Sequence, residues 1–249
     1  MRSPNTTLIK ITDTQTPSSL APPDRHNASE HCALLIDETM NAQPLRLVPQ
    51  DVIDLVEFDP YPRILRFDFA WQVERQPTGL WSTLTGKNKP IDLDAACLMF
   101  DRMGGLLDTI WFGNLRAKDD SVRHSGDRVY PDDQHPTQQR DQETIEVYLA
   151  DVADGVESLW FAVCAYHGHA VAQIRQLDCQ ISERRRDRSL AIIQLHPDHN
   201  DDASGLVIAR LYRDSVQRDH WSVQALAEPI DVRTPDELGK VIASWQVGR

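Results

Sequence analysis

Short apolar runs, broken by Gly, Pro, Asp or Asn, fill the chain from residue 45 onward. In several runs apolar and polar residues alternate with the two-residue period of a strand, as at Ile145, Val147 and Leu149. Runs of this length and spacing are typical of an all-β sandwich or barrel. We therefore predict an antiparallel β-sandwich of about nine or ten strands.

The predicted strands cover residues 63–73, 93–100, 106–112, 145–149, 159–163, 174–181, 190–195, 206–212 and 221–225. Residues 93–100 are apolar at both alternating positions, which predicts a strand that is buried on both faces. Gly104 and Gly105 follow that strand and favour a tight hairpin turn. Residues 32–36 match a short strand, and residues 74–90 match a long loop.

A C-terminal amphipathic helix is predicted over residues 234–246. Thr234 offers a capping hydroxyl, Pro235 suits the first helical position, and an apolar stripe follows at helical spacing. Residues 1–42 are rich in Thr, Ser, Pro and Asn, which predicts a flexible N-terminal arm. Residues 43–249 then form one domain that includes the helix.

The net charge of −12 is unevenly distributed. Residues 92–154 hold 14 acidic and 6 basic side chains, a net charge of −8. A field of this sign repels phosphate backbones and anionic lipids, so we expect no nucleic-acid ligand. The basic cluster of Arg184, Arg185, Arg186 and Arg188 lies between two predicted strands, where we expect a solvated loop.

Cysteine usage and hydropathy bear on the compartment. The four cysteines are widely spaced with no Cys-x-x-Cys pair, and no secretion signal opens the chain. No apolar stretch approaches the roughly 20 residues that span a bilayer. These features predict a reduced, cytoplasmic protein without membrane insertion.

Oxygen-bearing side chains cluster where the predicted strands end, between residues 92 and 143. Asp92 and Asp94 flank a leucine at a strand start, so alternation places both acids on one face. The following loops supply Asn114 and a series of aspartates. Such oxygens are the ligands that Ca²⁺ prefers, whereas Zn²⁺ prefers Cys and His. Asp and Asn also favour turns for their own conformational reasons, so this composition is equally compatible with solvated turns.

The same stretch resembles the TerD family of tellurium-resistance and stress proteins. Four motifs occur in the family's order, namely Asp92-Leu93-Asp94-Ala95, Gly113-Asn114-Leu115, the Asp119 to Asp127 string with its Ser-Val-x-His-x-Gly-Asp core, and Asp141-Gln142-Glu143. Weaker similarities are Phe69-Ala70-Trp71 and Leu211-Tyr212-Arg213 followed by Trp221. The resemblance covers about residues 44–227, which is most of the chain.

This resemblance implies a β-sandwich that binds Ca²⁺ in acidic loops, acts in stress response through protein partners, and is not an enzyme. Carried over position by position, the implied metal ligands are Asp92, Asp94, Asn114, Asp119, Asp127, Asp141 and Glu143. Arg128 and Gln142 stand where the family has Asn and Asp, so we expect weaker binding or fewer sites. A guanidinium beside these carboxylates would compete with a metal ion.

Two alternatives remain open from the sequence. In the first, the acids survive as turn formers in a metal-free scaffold that recruits a partner. In the second, paired acids and a metal-activated water carry out hydrolysis. The chain has no nucleophile elbow, phosphate loop or dinucleotide fingerprint, which favours binding over catalysis. The pairs His167/His169 and His196/His199 are expected to be loop histidines, and His124 is expected to orient the acidic loop.

Overall fold

The computed structural model describes residues 43–73, 93–126, 141–165, 171–197 and 203–246. The predictions for residues 1–42 and for the loop at 74–90 lie outside these ranges. Within them are twelve strands and one α-helix. The strands are β1 (Leu45–Leu47), β2 (Val52–Asp54), β3 (Ile64–Val73), β4 (Asp94–Phe100), β5 (Leu106–Ile110), β6 (Val122–His124), β7 (Asp141–Tyr148), β8 (Ser158–Cys164), β9 (Ile174–Glu183), β10 (Arg188–Leu195), β11 (Gly205–Arg213) and β12 (Trp221–Ile230).

The strands form two six-stranded sheets, which confirms the predicted sandwich. The first sheet has the order β1-β10-β9-β3-β7-β6 and the second has the order β2-β12-β11-β8-β4-β5. All pairings are antiparallel except that of β1 with β10, so the first sheet is mixed. The sequence analysis missed this parallel edge because β1 has only three residues.

The main core lies between the sheets. Alternate residues of β3 and β8 point inward, and the rings of Phe67 and Phe161 stack across the interface with centroids 3.9 Å apart. Both rings are fully buried. Truncating an aromatic side chain at such a position typically costs about 3–5 kcal/mol of stability, so this contact is a main determinant of how the two sheets pack.

A second core covers the other face of the second sheet. Helix α1 (Pro235–Gln246) begins where predicted, with Thr234 Oγ1 accepting the Glu237 amide at 3.2 Å. Its buried residues Leu238 and Ile242 pack on alternate residues of β4 and β8. This helix explains why β4 is buried on both faces, as its apolar sequence predicted. No helix in the described ranges is long and apolar enough to cross a membrane.

One strand occupies a stretch that was predicted to be loop. Val122 and His124 of β6 point into the sandwich and pair with β7 at Val147 and Ile145. Strand β6 was not predicted because its alternation of buried and polar residues extends over only three residues and lies among polar residues. Because β6 is the edge strand next to β7, it brings the acidic loop to the side of the first sheet.

The strand registers define two ends of the sandwich. At one end Asp94 pairs with Cys164, which pairs with Gly205, which pairs with Ile230. We call this the acidic end, because β7 also begins there, opposite Trp71 of β3. At the opposite end Phe100 pairs with Ser158, and Arg213 pairs with Trp221.

Candidate functional site

Glu143 is the carboxylate at the centre of the acidic end. It lies on the inward side of β7 and is 5% exposed. Its Oε2 accepts a hydrogen bond of 2.6 Å from the amide of Ala95 on β4. Strand β5, which neighbours β4, reaches only as far as the pair between Cys97 and Ile110. Glu143 therefore binds the edge of β4 beyond the end of β5 and joins the two sheets.

His124 is the nearest ionisable neighbour of that carboxylate. Its side chain is fully buried, and Nε2 lies 3.4 Å from Glu143 Oε2. Nδ1 accepts the Gly126 amide at 2.9 Å, so in the neutral ring the proton is on Nε2. Among the described residues, Nε2 nevertheless has no hydrogen-bond partner of acceptable geometry. The imidazole therefore lies against Glu143 without a hydrogen bond to it, and Nε2, which carries the proton of the neutral ring, is not available as a metal ligand.

Asp94 lies next to the amide that Glu143 accepts. Its neighbours Leu93 and Ala95 face the main core, so strand alternation places the Asp94 side chain on the other face of the second sheet. It is 4% exposed, which makes it a second buried carboxylate at the acidic end. Asp92 lies outside the described residues, so the shared face of Asp92 and Asp94 stays a prediction.

The side chains of Asn114 and Asp119 form hydrogen bonds within and between the loops that follow β5. The Asn114 amide donates to the Thr109 carbonyl at 2.7 Å and closes the turn after that strand. Asp119 Oδ1 accepts both the amide and the hydroxyl of Ser121, at 3.0 and 2.6 Å. Its Oδ2 accepts the Ala153 amide at 3.1 Å. Both side chains therefore have structural partners, and Asp119 fixes one loop against another.

Of the remaining predicted ligands, only the backbone of Asp141 is among the described parts of the chain. Asp141 opens β7, where its backbone pairs with Trp71, and Asp127 lies outside the described residues. Among the residues that the structure describes, no three His, Cys, Asp or Glu side chains form a group that could hold a metal ion. The described part of the chain thus brings Glu143 and His124 together, whereas the Asp94 side chain lies on the other face of the second sheet.

The chemistry of the groups around Glu143 indicates whether this site suits Ca²⁺. A buried carboxylate is costly unless a cation or several donors compensate its charge. Within the described ranges, the only cationic type of side chain at ion-pair distance from Glu143 is His124, whose Nδ1 acts as an acceptor. A hard cation bound by carboxylate oxygens would supply the missing charge, so Glu143 fits a Ca²⁺ site.

Asp108 is a structural residue that the sequence analysis missed. Its Oδ2 accepts the Lys118 amide at 2.9 Å, and its Oδ1 accepts the Thr109 amide at 2.9 Å. Lys118 Nζ then donates to the Leu107 carbonyl at 3.3 Å. These bonds occupy backbone groups of the short edge strand β5. No local sequence signal distinguishes Asp108 from the exposed turn acids around it.

Comparison with known proteins gives a family. The TerD domain model matches residues 45–234. The tellurium resistance protein TerZ of Serratia marcescens is 31% identical over 180 residues, which cover 72% of this chain and 87% of that protein. The stress response protein SCP2 of Bacillus subtilis (strain 168) is 25% identical over 187 residues, covering 72% of this chain and 89% of that protein.

Solved structures show the same fold. SAV2460, a protein of unknown function, superposes with a TM-score of 0.52 at 14% identity and covers 73% of this chain and 97% of its own. SCO6318 of Streptomyces coelicolor A3(2), a homologue of the telluride resistance protein TerD, gives a TM-score of 0.51 at 14% identity, with 72% and 95% covered. With the family model matching 190 of 249 residues, the chain belongs to the TerD domain family.

Proposed function

We propose that this protein is a Ca²⁺-binding, non-catalytic stress-response protein of the cytoplasm that acts through protein partners. The single observation that carries the calcium part is the buried carboxylate of Glu143, which has one amide donor and no charged partner among the described residues. The names of the relatives, a tellurium resistance protein and a stress response protein, support the stress role. The buried thiols of Cys97 and Cys179, which form no disulfide among the described residues, are consistent with a reducing compartment.

The proposed site is centred on Glu143, with Asp127 and Asp141 as the further oxygen donors. The Asp94 side chain lies on the other face of the second sheet, so Asp94, and Asp92, which is predicted to share its face, are not assigned to this ion. Asn114 and Asp119, whose side chains have protein partners, are assigned to the supporting loops. When bound, Ca²⁺ would neutralise the buried Glu143 carboxylate and hold the segment that enters β4 and the loop that follows β6. His124, whose Nε2 lies 3.4 Å from Glu143 Oε2, is proposed to orient that carboxylate in the calcium-bound form.

Calorimetric titration of chelator-treated protein with Ca²⁺, with Mg²⁺ as the competing ion, tests this proposal. We expect saturable Ca²⁺ binding and a higher melting temperature in the bound form. Glu143→Gln should abolish the binding heat. Glu146→Gln is the matched control, because Glu146 lies on the outer face of the same strand and pairs with Arg184. Absence of binding at millimolar Ca²⁺ would contradict the proposal.

The metal-free scaffold is the second candidate, and Arg128 is the residue that favours it. If the Arg128 guanidinium supplies the charge that Glu143 lacks, no metal ion is needed. The double variant Arg128→Asn, Gln142→Asp restores the family's residues at both positions. Binding by this variant but not by the parent chain would establish the scaffold. Equal binding by both would establish the calcium site.

A further inference from the structure

A shallow groove lies at the end of the sandwich opposite the acidic end. It has a volume of about 550 Å³ and is lined by Val56, Phe58, Asp59, Tyr61, Asp219 and His220. Residues 219 and 220 immediately precede β12 at the end where Arg213 pairs with Trp221. Because β4 spans seven residues between the two ends, the groove is roughly 20 Å from Asp94. It is therefore separate from the proposed calcium site.

Aromatic side chains form the walls of the groove. The rings of Tyr61 and His220 lie with centroids 6.3 Å apart and planes inclined by 35°. Tyr61 Oη donates to the Asp219 carbonyl at 3.3 Å, which ties the two sides of the groove together. Phe58 also lines the groove and is half-buried. The walls thus present flat, π-rich faces whose positions are held by hydrogen bonding and packing.

The rim of the groove is acidic. Asp59 and Asp219 are exposed, and Glu57 adds a third exposed carboxylate beside them. Across the described ranges, no Lys, Arg or His nitrogen lies within 4 Å of the Asp59 or Asp219 carboxylate. Burial raises the pKa of Tyr61 to about 12; the carboxylates of Asp54 and Asp219 add to the rise, and the Arg213 guanidinium opposes it. The phenol therefore stays neutral, and the exposed carboxylates of Asp59 and Asp219 are the groups that attract a cation to the rim.

The protein itself shows how a guanidinium binds at this wall. Arg188 lies over the Phe58 ring at 5.6 Å and donates to the carbonyls of Asp59 and Pro60, at 2.9 and 3.0 Å. These bonds hold the turn that carries Asp59. Tyr61 and His220, which line the same groove, offer a comparable aromatic surface near the Asp219 carboxylate.

We propose that the groove binds an arginine side chain from an extended basic segment of a partner protein. A planar guanidinium stacks on aromatic faces and donates two hydrogen bonds to a carboxylate, whereas a lysine ammonium satisfies the charge without the stacking. The volume suits one or two side chains of a peptide. This inference does not rest on calcium binding, since the two sites lie at opposite ends of the sandwich.

Amide chemical shifts of the full chain test the proposal, with a tetra-arginine peptide as the probe and tetra-lysine and tetra-glutamine peptides beside it. About 150 mM salt limits unspecific attraction to the acidic surface. We expect saturable shifts confined to residues 56–61 and 217–221. The arginine peptide should bind at least threefold more tightly than the lysine peptide, and the glutamine peptide should not bind.

Two double variants separate the groove from general acidity. Asp59→Asn with Asp219→Asn should weaken tetra-arginine binding at least tenfold. Asp231→Asn with Asp236→Asn removes two exposed acids beyond the far end of β12 and should leave it unchanged. Equal losses in both variants, equal binding of arginine and lysine peptides, or no shifts at all would overturn the proposal. Calcium titration of the groove variant should match wild type, so a failed calcium site and a failed groove give different results.

Discussion

The two ends of the sandwich each hold a buried charge, but the charges differ in how completely the protein satisfies them. At the end opposite the acidic end, the Arg213 guanidinium donates to the carbonyls of Val156, Arg218 and Val152 at 2.7 to 2.9 Å. It also stacks over the Trp221 ring at 4.3 Å. At the acidic end, the described residues give Glu143 one amide donor and give the neighbouring His124 Nε2 no hydrogen-bond partner.

This difference distinguishes a buried charge with a structural role, Arg213, from one that we expect to bind a ligand, Glu143. Every guanidinium nitrogen of Arg213 has an acceptor in the loops at residues 152–156 and 218, so that arginine organises those loops without any ligand. Burial lowers the pKa of Arg213, yet the carbonyl acceptors keep it paired. The Glu143 carboxylate is comparably buried with fewer partners, which is why we assign a ligand to the acidic end.

The largest expected effect is at the end of the sandwich opposite the acidic end, which we call the closed end because Arg213 satisfies its buried carbonyls there. Arg213→Met leaves several buried carbonyls without donors and should lower the free energy of unfolding by about 3–5 kcal/mol. The free energy of unfolding of Arg213→Lys should lie between those of the wild type and Arg213→Met, because one ammonium group reaches fewer of the carbonyls than the guanidinium does. Urea denaturation measures both. Arg46→Met is the control, since exposed Arg46 makes only a 3.4 Å contact with Gln194, and it should stay within about 0.5 kcal/mol.

That arginine also shows what could be predicted from the sequence. The Leu-Tyr-Arg and Trp similarity marked Arg213 and Trp221 as family positions. The strand pattern placed Trp221 at the start of its strand, but it ended the preceding strand at Tyr212, one residue short of Arg213. Nothing local indicated that the acceptors lie about 60 residues away in the 152–156 loop. Alternation and helix capping depend on neighbouring residues, so the strands and α1 were predictable. Long-range polar contacts, such as Asp119 with Ala153, were not.

The acidic end shows the same limit. The motifs placed Asp94 and Glu143 in one cluster, and the structure places Glu143 against the amide that follows Asp94. The family resemblance implied that Asp119 and Asn114 are ligands like these two residues. Their side chains have protein partners in the loops after β5, and their role as ligands stays a prediction. Turn formers and ligands use the same side chains, so only contacts distinguish them.

A second prediction concerns packing at the acidic end. A Cβ at Gly205 would lie 2.8 Å from Cys164 Sγ and 2.9 Å from the Val163 carbonyl. Gly205→Ala should therefore cost about 1–3 kcal/mol of stability, because the contact involves neighbouring backbone that cannot move freely. Gly155→Ala is the matched control, with nothing within 4 Å of the added methyl group. Thermal melts of both variants check this, and a fully tolerated Gly205→Ala would contradict the close approach of β8 and β11.

A third prediction sharpens the assignment of His124. Outer residues that orient a metal ligand typically contribute 10-fold to 100-fold in metal affinity. His124→Phe should therefore weaken Ca²⁺ binding at least tenfold, or about 1.4 kcal/mol. The metal-free stability should change by less than about 1 kcal/mol, since only the Gly126 amide loses a partner. His196→Phe, at the exposed end of β10, is the control in both assays.

Unchanged calcium affinity in His124→Phe, combined with a large loss of stability, would contradict the assignment of His124 to the calcium site. His124 would then resemble Arg213, a buried group that holds the fold. The two measurements are independent, because calorimetry reports the site and urea denaturation without metal reports the fold.

The smallest expected effect tests whether a carboxylate at the closed end acts only as a turn former. Asp214 Oδ1 accepts the amides of Gln217 and Val216, both at 2.7 Å, and these donors lower the pKa of the Asp214 carboxyl. A lowered folded-state pKa means that the carboxylate stabilises the fold above its unfolded pKa of about 4. That contribution is lost as the pH falls through the lower, folded-state value. Asp214→Asn keeps an acceptor oxygen but cannot titrate, so its stability should fall less steeply below about pH 4 than that of wild type. Urea denaturation at intervals between about pH 5 and pH 2.5 measures the slope, and Ser215→Ala should follow wild type. If Asp214→Asn also follows wild type, the turn at residues 214–217 owes nothing to the charge, and the hydrogen bonds alone account for it.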